Sequence, residues 1–236
     1  MMPRLTPQDF QDAAIALGCD VASIQAVCQV EAPKGGFNPD GSPVTLFEGH
    51  KFYKYTDGRF AFKAPDLCFP VWTKKNYGRN WMEEQNRLSR AMALDQEAAW
   101  MSSSWGKFQI MGFNHHVVGF DTIQEFVTAM RTGEREHLMA FVKFVQKIGL
   151  IPSLRSRDWA GFARGYNGAG YASNGYDVKL AAAYAALVNQ VAEPIKVVIE
   201  AVPEVVAEAI EAAPKAPTLL TFIMAIFKFF ASWRKT

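Results

Sequence analysis

Ser102 to Asn114, SSSWGKFQIMGFN, constrains this chain more than any other stretch. It sets hydroxyls beside Trp105, a lone amide at Gln109, and then Ile110-Met111-Gly112. Apolar and small polar residues alternate too closely for a plain core helix. Gly106 and Gly112 mark points where the backbone approaches other backbone or a ligand. A helix–turn packed on a core is the simplest reading, and a segment lining a binding site is the other.

The helices around it announce themselves locally. Thr6-Pro7-Gln8-Asp9 predicts a capping box with proline in the first turn, and Gly18 a stop. Asp20 predicts the cap of a second helix over Val21 to Glu31, with an apolar stripe of Ile24, Val27 and Cys28. The next residue on that stripe is Glu31, just before Pro33-Lys34-Gly35-Gly36. A carboxyl there is partly desolvated, its pKa rises, and it suits a general acid; an ordinary last-turn glutamate fanning out to water is the alternative. Further on, the pattern predicts a polar helix from Trp81 to Ala93 with Trp81, Leu88 and Met92 inward. A short helix follows Asp95. Two core-wall helices come next, one capped by Asp121 and one after Thr132 that carries Leu138, Phe141, Val142, Val145 and Ile148. Another is capped by Ser156, and an Ala-rich helix runs over 177–190.

Between these lie less regular stretches. Val44 to Glu48 is a short β-prone run, and Tyr53 to Phe62 reads as two strands around Asp57-Gly58. Arg164 to Tyr176 gathers Tyr166, Tyr171, Tyr176 and Asn167 among glycines. Such a segment suits a rim where rings lie on sugar faces and amides bond hydroxyls, or is simply a compact turn. His50 reads as a structural hydrogen-bonder in preference to a proton shuttle. His115 and His116 read as neighbours pointing different ways. No metal is expected, because the histidines lack ligand spacing.

Of the 236 residues half are hydrophobic and a fifth charged, with a net charge of +2. That is globular composition, with too little positive charge to point to nucleic acid. Cys19, Cys28 and Cys68 form no CxxC pair and read as small core residues of a reducing compartment, a Cys19–Cys28 disulfide being the alternative. MMPRLTPQDF has no apolar core of the kind a cleavable signal peptide carries.

Three parts are expected: residues 1–192 as a domain, 193–217 as a linker broken by Pro194, Pro203, Pro214 and Pro217, and 218–236 as an apolar tail helix. Leu219 to Trp233 would span about 22 Å as a helix. That is short of the roughly 20 residues that cross a bilayer, yet it carries rings on every side and Arg234-Lys235 behind them. Membrane contact through this tail is the expectation, with packing or oligomerisation as alternatives.

Residues 5 to 190 resemble the phage N-acetylmuramidase family. The likeness rests on the Glu31-to-Gly36 helix end, Leu46-Phe47-Glu48-Gly49-His50, Thr56-Asp57-Gly58-Arg59-Phe60, Ser104 to Gly112, and Asp158-Trp159 through Tyr166-Asn167-Gly168 to Tyr176-Asp177. The segment Gly106-Lys107-Phe108-Gln109-Ile110 is also similar to the Gly-Leu-Met-Gln-Ile segment of goose-type lysozymes and lytic transglycosylases. This resemblance implies an α+β, predominantly helical lysozyme-like domain with a small antiparallel β insert, followed by the apolar C-terminal helix. It implies a lysis enzyme, expected to be a monomer, that hydrolyses the β-1,4 bond between N-acetylmuramic acid and N-acetylglucosamine in peptidoglycan without a cofactor. Glu31 takes the place of the catalytic glutamate, and Glu48 that of a second. Trp105, Gln109, Tyr166, Asn167, Tyr171 and Tyr176 are the candidate glycan-binding residues. A lytic transglycosylase on the same bond and a non-catalytic wall-binding module are the alternatives. The enzyme would be made in the host cytoplasm and act in the periplasm. Pro33 and the tail lie outside the family pattern.

Overall fold

Local capping sets where most helices of the computed structural model begin. The structure describes residues 2–33 and 35–189. Helix α1, Pro7–Leu17, starts on the Thr6/Asp9 capping box and stops at left-handed Gly18. Helix α2, Val21–Glu31, starts on Asp20, whose side chain accepts from the Ser23 N–H. Helix α3, Gly49–Tyr55, comes directly after Glu48. Helices α4, Trp81–Met92, and α5, Gln96–Met101, are capped by Asn80 and Asp95. Helices α6, Ile123–Met130, α7, Glu134–Lys147, α8, Ile151–Ser156, and α9, Trp159–Asn167, complete the wall. Residues 176–189 form a last helix, α10.

The β insert is a three-stranded antiparallel sheet of β1, Thr45–Phe47, β2, Ser103–Trp105, and β3, Ile110–Met111, in that order. Thr45 faces Trp105 and Phe47 faces Ser103, and Trp105 then pairs with Ile110. Its composition corrects two expectations. Ser102 to Asn114 is mostly sheet, turn and a 3-10 turn at Gly112–Asn114, not a helix. The expected hairpin at 53–62 is instead the end of α3 and a turn, with Asp57 and Gly58 both at positive φ. Phe52, fully buried, stacks on Phe60 there at 5.8 Å, so aromatic packing absorbs the rings that looked β-prone.

Smaller differences have local causes. Thr122 with Glu125, rather than Asp121, caps α6. Asp158, rather than Ser156, caps α9, because Ser156 already ends α8. The buried face of α4 is Glu84, Arg87, Leu88 and Ala91, while Trp81 and Met92 are only half-buried. His115 and His116 lie with ring centres 3.9 Å apart, since the chain there turns instead of keeping to a regular element.

A single core of Phe47, Phe52, Trp105, Phe126, Phe141 and Phe162 lies between the helices and the inner side of the sheet. Each such ring buried contributes about 1.5–3 kcal/mol. The three cysteines are free thiols; burial pushes Cys28 up to about 12, which makes it inert. Among the described residues no single helix is long and apolar enough to cross a membrane. The first compact unit of the chain is Met1–Val188. The expected linker and apolar tail helix lie outside the described residues.

Candidate active site

Glu31 is the last residue of α2. The helix ends there because Ala32 leaves helical geometry and Pro33 offers no N–H. Half-buried, Glu31 has its pKa raised, foremost by burial; the Asn167 amide and the Lys179 ammonium act in the opposite direction. Asn167, the last residue of α9, donates its Nδ2–H to Glu31 Oε1 over 3.0 Å.

The chain just beyond Glu31 is clamped from α7. The Gly36 N–H donates to Glu134 Oε1 over 2.8 Å, and Lys107 Nζ reaches the Ala32 carbonyl at 3.4 Å and Glu134 Oε2 at 3.7 Å. His137 accepts the Lys107 N–H at Nδ1, 3.1 Å, and stands 2.7 Å from the Met130 carbonyl at Nε2. That pairing requires the neutral Nε2–H tautomer, and burial lowers the His137 pKa accordingly. A Cβ on Gly106, at φ +70°, would come within 2.8 Å of the His137 ring, and Gly112 leaves no room beside the Trp100 carbonyl. Both glycines therefore mark backbone against protein, not against ligand. Glu134 and His137 escaped the sequence reading. Their signal was the one that exposed Glu31, polar residues sharing an apolar helix stripe, here with Leu138 and Phe141.

Glu48 stands at the junction of β1 and α3, its backbone N–H bonded to the Ser102 carbonyl at 3.0 Å. Its Oε2 accepts the Tyr77 O–H over 2.5 Å. Burial and the neighbouring carboxylate push the Tyr77 phenol up, so it keeps its proton to donate. His50 Nδ1 lies 3.4 Å from the same oxygen without hydrogen-bond alignment, and burial lowers its pKa. Tyr77 was not a sequence candidate, since nothing local connects position 77 to position 48. Its segment is held by Glu84, which accepts the Gly78 N–H and, at 2.9 Å on each oxygen, Arg87 Nη1. The Arg87 guanidinium lies over both Tyr77 and Phe47, with Nε and Nη2 buried and lacking a protein partner among the described residues.

The other predicted residues divide. Trp105 is buried, its indole N–H donated to the Trp100 carbonyl at 3.1 Å, so it supports the sheet and offers no face to glycan. Tyr166 likewise leaves the expected rim: it stacks on Phe162, edges onto Phe141 and Phe144, and donates its O–H to the Phe108 carbonyl over 3.1 Å. Gln109, at φ +49°, is exposed, yet its amide binds the Val44 and Gly106 carbonyls and accepts from Ser104 at 2.7 Å. It holds the β2–β3 turn. Tyr171 and Tyr176 are half-exposed under Arg164 and Lys179. A cavity of about 530 Å³ opens on the face of α2 bearing Gln25, Cys28 and Gln29, and neither Glu31 nor Glu48 lines it. No cluster of three or more His, Cys, Asp or Glu among the described residues could hold a metal.

In this half-buried carboxyl at a helix end, burial favours the protonated form and the amide of a second element fixes its position. Residues 20–188 match the family described as "Muramidase: N-acetylmuramidase". This chain belongs to that N-acetylmuramidase family. It is 39% identical to the Burkholderia AP3 phage endolysin in its crystal structure, with a TM-score of 0.74 over 79% of this chain and 72% of that one. No curated protein matches the chain. As a muramidase fold it is mostly helical with a small three-stranded antiparallel insert.

Proposed function

We propose that this muramidase hydrolyses the β-1,4 bond between N-acetylmuramic acid and N-acetylglucosamine in peptidoglycan, with Glu31 as general acid and Glu48 as the second carboxylate. The observation that carries the assignment is the half-buried place of Glu31 at the end of α2, where Asn167 holds it and burial favours its protonated form. Departure of the leaving sugar needs a proton on the bridging oxygen, and a carboxyl whose protonated form is favoured by burial is suited to supply it. The C1–O bond breaks with its electron pair on oxygen, and positive charge spreads over the sugar ring. Glu48 has Oε2 engaged by Tyr77, which leaves Oε1 to take a proton from the attacking water. Water contributes hydroxide to C1 and the departing sugar keeps the proton from Glu31; Glu48 then gives up the water's proton to solvent and Glu31 regains one, so the net balance is one water consumed. Asn167 positions Glu31, and Tyr171, Tyr176 and the exposed side of Gln109 border the glycan.

Likeness to a phage endolysin supports a role in host lysis, with synthesis in the bacterial cytoplasm and action on the wall from the periplasm. The apolar run Leu219 to Trp233, with Arg234-Lys235 behind it, supports contact of the C-terminal tail with the bilayer.

The test is digestion of purified peptidoglycan with product mass spectrometry. Reducing N-acetylmuramic acid ends are the expected outcome. Anhydro-muramic ends make the enzyme a transglycosylase, and retention of glycan without fragments makes it a binder.

A further inference from the structure

The segment leading to Tyr77 is organised beyond what holding Glu48 requires. The Lys75 N–H donates to Thr73 Oγ1 at 3.1 Å, and the Tyr77 N–H to the Lys74 carbonyl at 3.1 Å. This tight turn brings Lys74 Nζ over the Trp72 ring, 5.9 Å from its centre. Beyond the turn, Glu84 fixes Gly78 and Tyr77 meets Glu48. Trp72 borders the Tyr77 phenol. An indole is costly to leave in water, yet Trp72 is 54% exposed, with Val71 beside it at 73%. A large flat ring left open and joined through Tyr77 to Glu48 has the form of a sugar platform. Lys74 above it, with Lys75 next, adds positive charge where neutral sugar alone would need none.

From this juxtaposition we infer that residues 71–77 form a subsite for the anionic, peptide-bearing muramyl unit, in which Trp72 stacks on the sugar and Lys74 meets the carboxylates of the lactyl-peptide stem. The inference rests on the glycan-hydrolase reading of Glu31 and Glu48. It assigns substrate selection within the site: a glycan with acidic stems is preferred to a neutral one. The ammonium already lies at the ring, so a bound carboxylate gains a partner without the side chain being reordered.

The experiment uses the full chain and two probes, glycan strands carrying intact peptide stems and the neutral chitohexaose. Hydrolysis of the stem-bearing strands yields KM and kcat, and calorimetric titration yields affinity for chitohexaose. Trp72→Ala should raise KM about fivefold to tenfold with kcat within twofold and weaken chitohexaose by a similar factor. Trp72→Phe should restore most of both. Lys74→Ala should raise KM for stem-bearing strands about threefold at low salt, less in high salt, and leave chitohexaose unchanged. Unaltered KM in both variants, with wild-type activity intact, overturns the subsite and leaves the hydrolase reading standing. A fall in kcat alone for Trp72→Ala also overturns it, because the indole would then act through Tyr77. A wild type that releases no fragments defeats the hydrolase reading itself.

Discussion

Asn167 donates its side-chain amide to Oε1 of Glu31 over 3.0 Å, joining the last residue of α9 to the last residue of α2. Two helix ends far apart in sequence are thereby tied at this carboxyl. The amide favours the ionised carboxyl while burial opposes it, and burial is the larger influence. Removing the amide as Asn167→Ala should raise the Glu31 pKa further. The basic limb of the pH profile of kcat/KM, where the acid loses its proton, should move to higher pH, and the optimum rate should fall several-fold as the carboxyl loses its position. An unmoved limb at full activity refutes this coupling.

Glu31→Gln should abolish turnover by more than about a hundredfold while keeping the fold. The linkage has a definite sign. A folded-state pKa raised above 4.5 means the native carboxyl holds its proton where the unfolded one has lost it. Wild-type stability is then fully present below about pH 4.5 and declines as pH rises through the folded value. Glutamine does not ionise, so the variant should melt as high as wild type or higher at pH 7, and the advantage should vanish in acid. Thermal scans across that range decide it.

His137 has both ring nitrogens satisfied inside the protein. His137→Phe keeps the stack on Phe37 but leaves the Lys107 N–H and the Met130 carbonyl unpaired. Urea denaturation should register a loss of about 2–4 kcal/mol. The lowered pKa of His137 contributes stability that is present above pH 6.5 and is lost as pH falls through the folded value. That part of the acid sensitivity should be missing from the variant.

Tyr166 tests the difference between a sugar rim and a core wall. Its ring packs among Phe141, Phe144 and Phe162 and its hydroxyl meets the Phe108 carbonyl. Tyr166→Phe should cost about 1 kcal/mol of stability, with KM unchanged. A KM increase at unaltered stability would return the residue to the glycan.

Truncation tests the C-terminal tail. Protein ending at Gln190 and the full chain should digest isolated peptidoglycan equally well. Only the full chain should float with liposomes, and it should stay bound in high salt, because Leu219 to Trp233 is an apolar run rich in aromatic residues. A full-length protein that remains with the soluble fraction rules out bilayer contact.

Glu31 was legible from the sequence because its situation is local: Asp20 starts a helix, a period of 3.6 carries the apolar stripe to position 31, and Pro33 ends it. The same is true of the Thr6/Asp9 box and the Asp95 cap. Such signals act within a few residues, where the backbone's own donors and side-chain spacing determine the outcome. The sheet was different. Thr45 takes Trp105 as partner, and β1 has no partner until the intervening helices fold. A strand is specified by its neighbour, so a β-prone run such as 53–62 can end as a helix terminus and turn around a buried Phe52. Tyr77 on Glu48, Asn167 on Glu31 and His137 on Lys107 likewise join residues through packing of separate elements. Trp105 and Tyr166, both candidates for the glycan, were claimed by apolar packing: Trp105 is buried in the core and Tyr166 lies partly buried against it. The sequence alone determined which carboxyl sits at a desolvated helix end; only the tertiary structure decided what holds it there, because those partners meet after the helices dock.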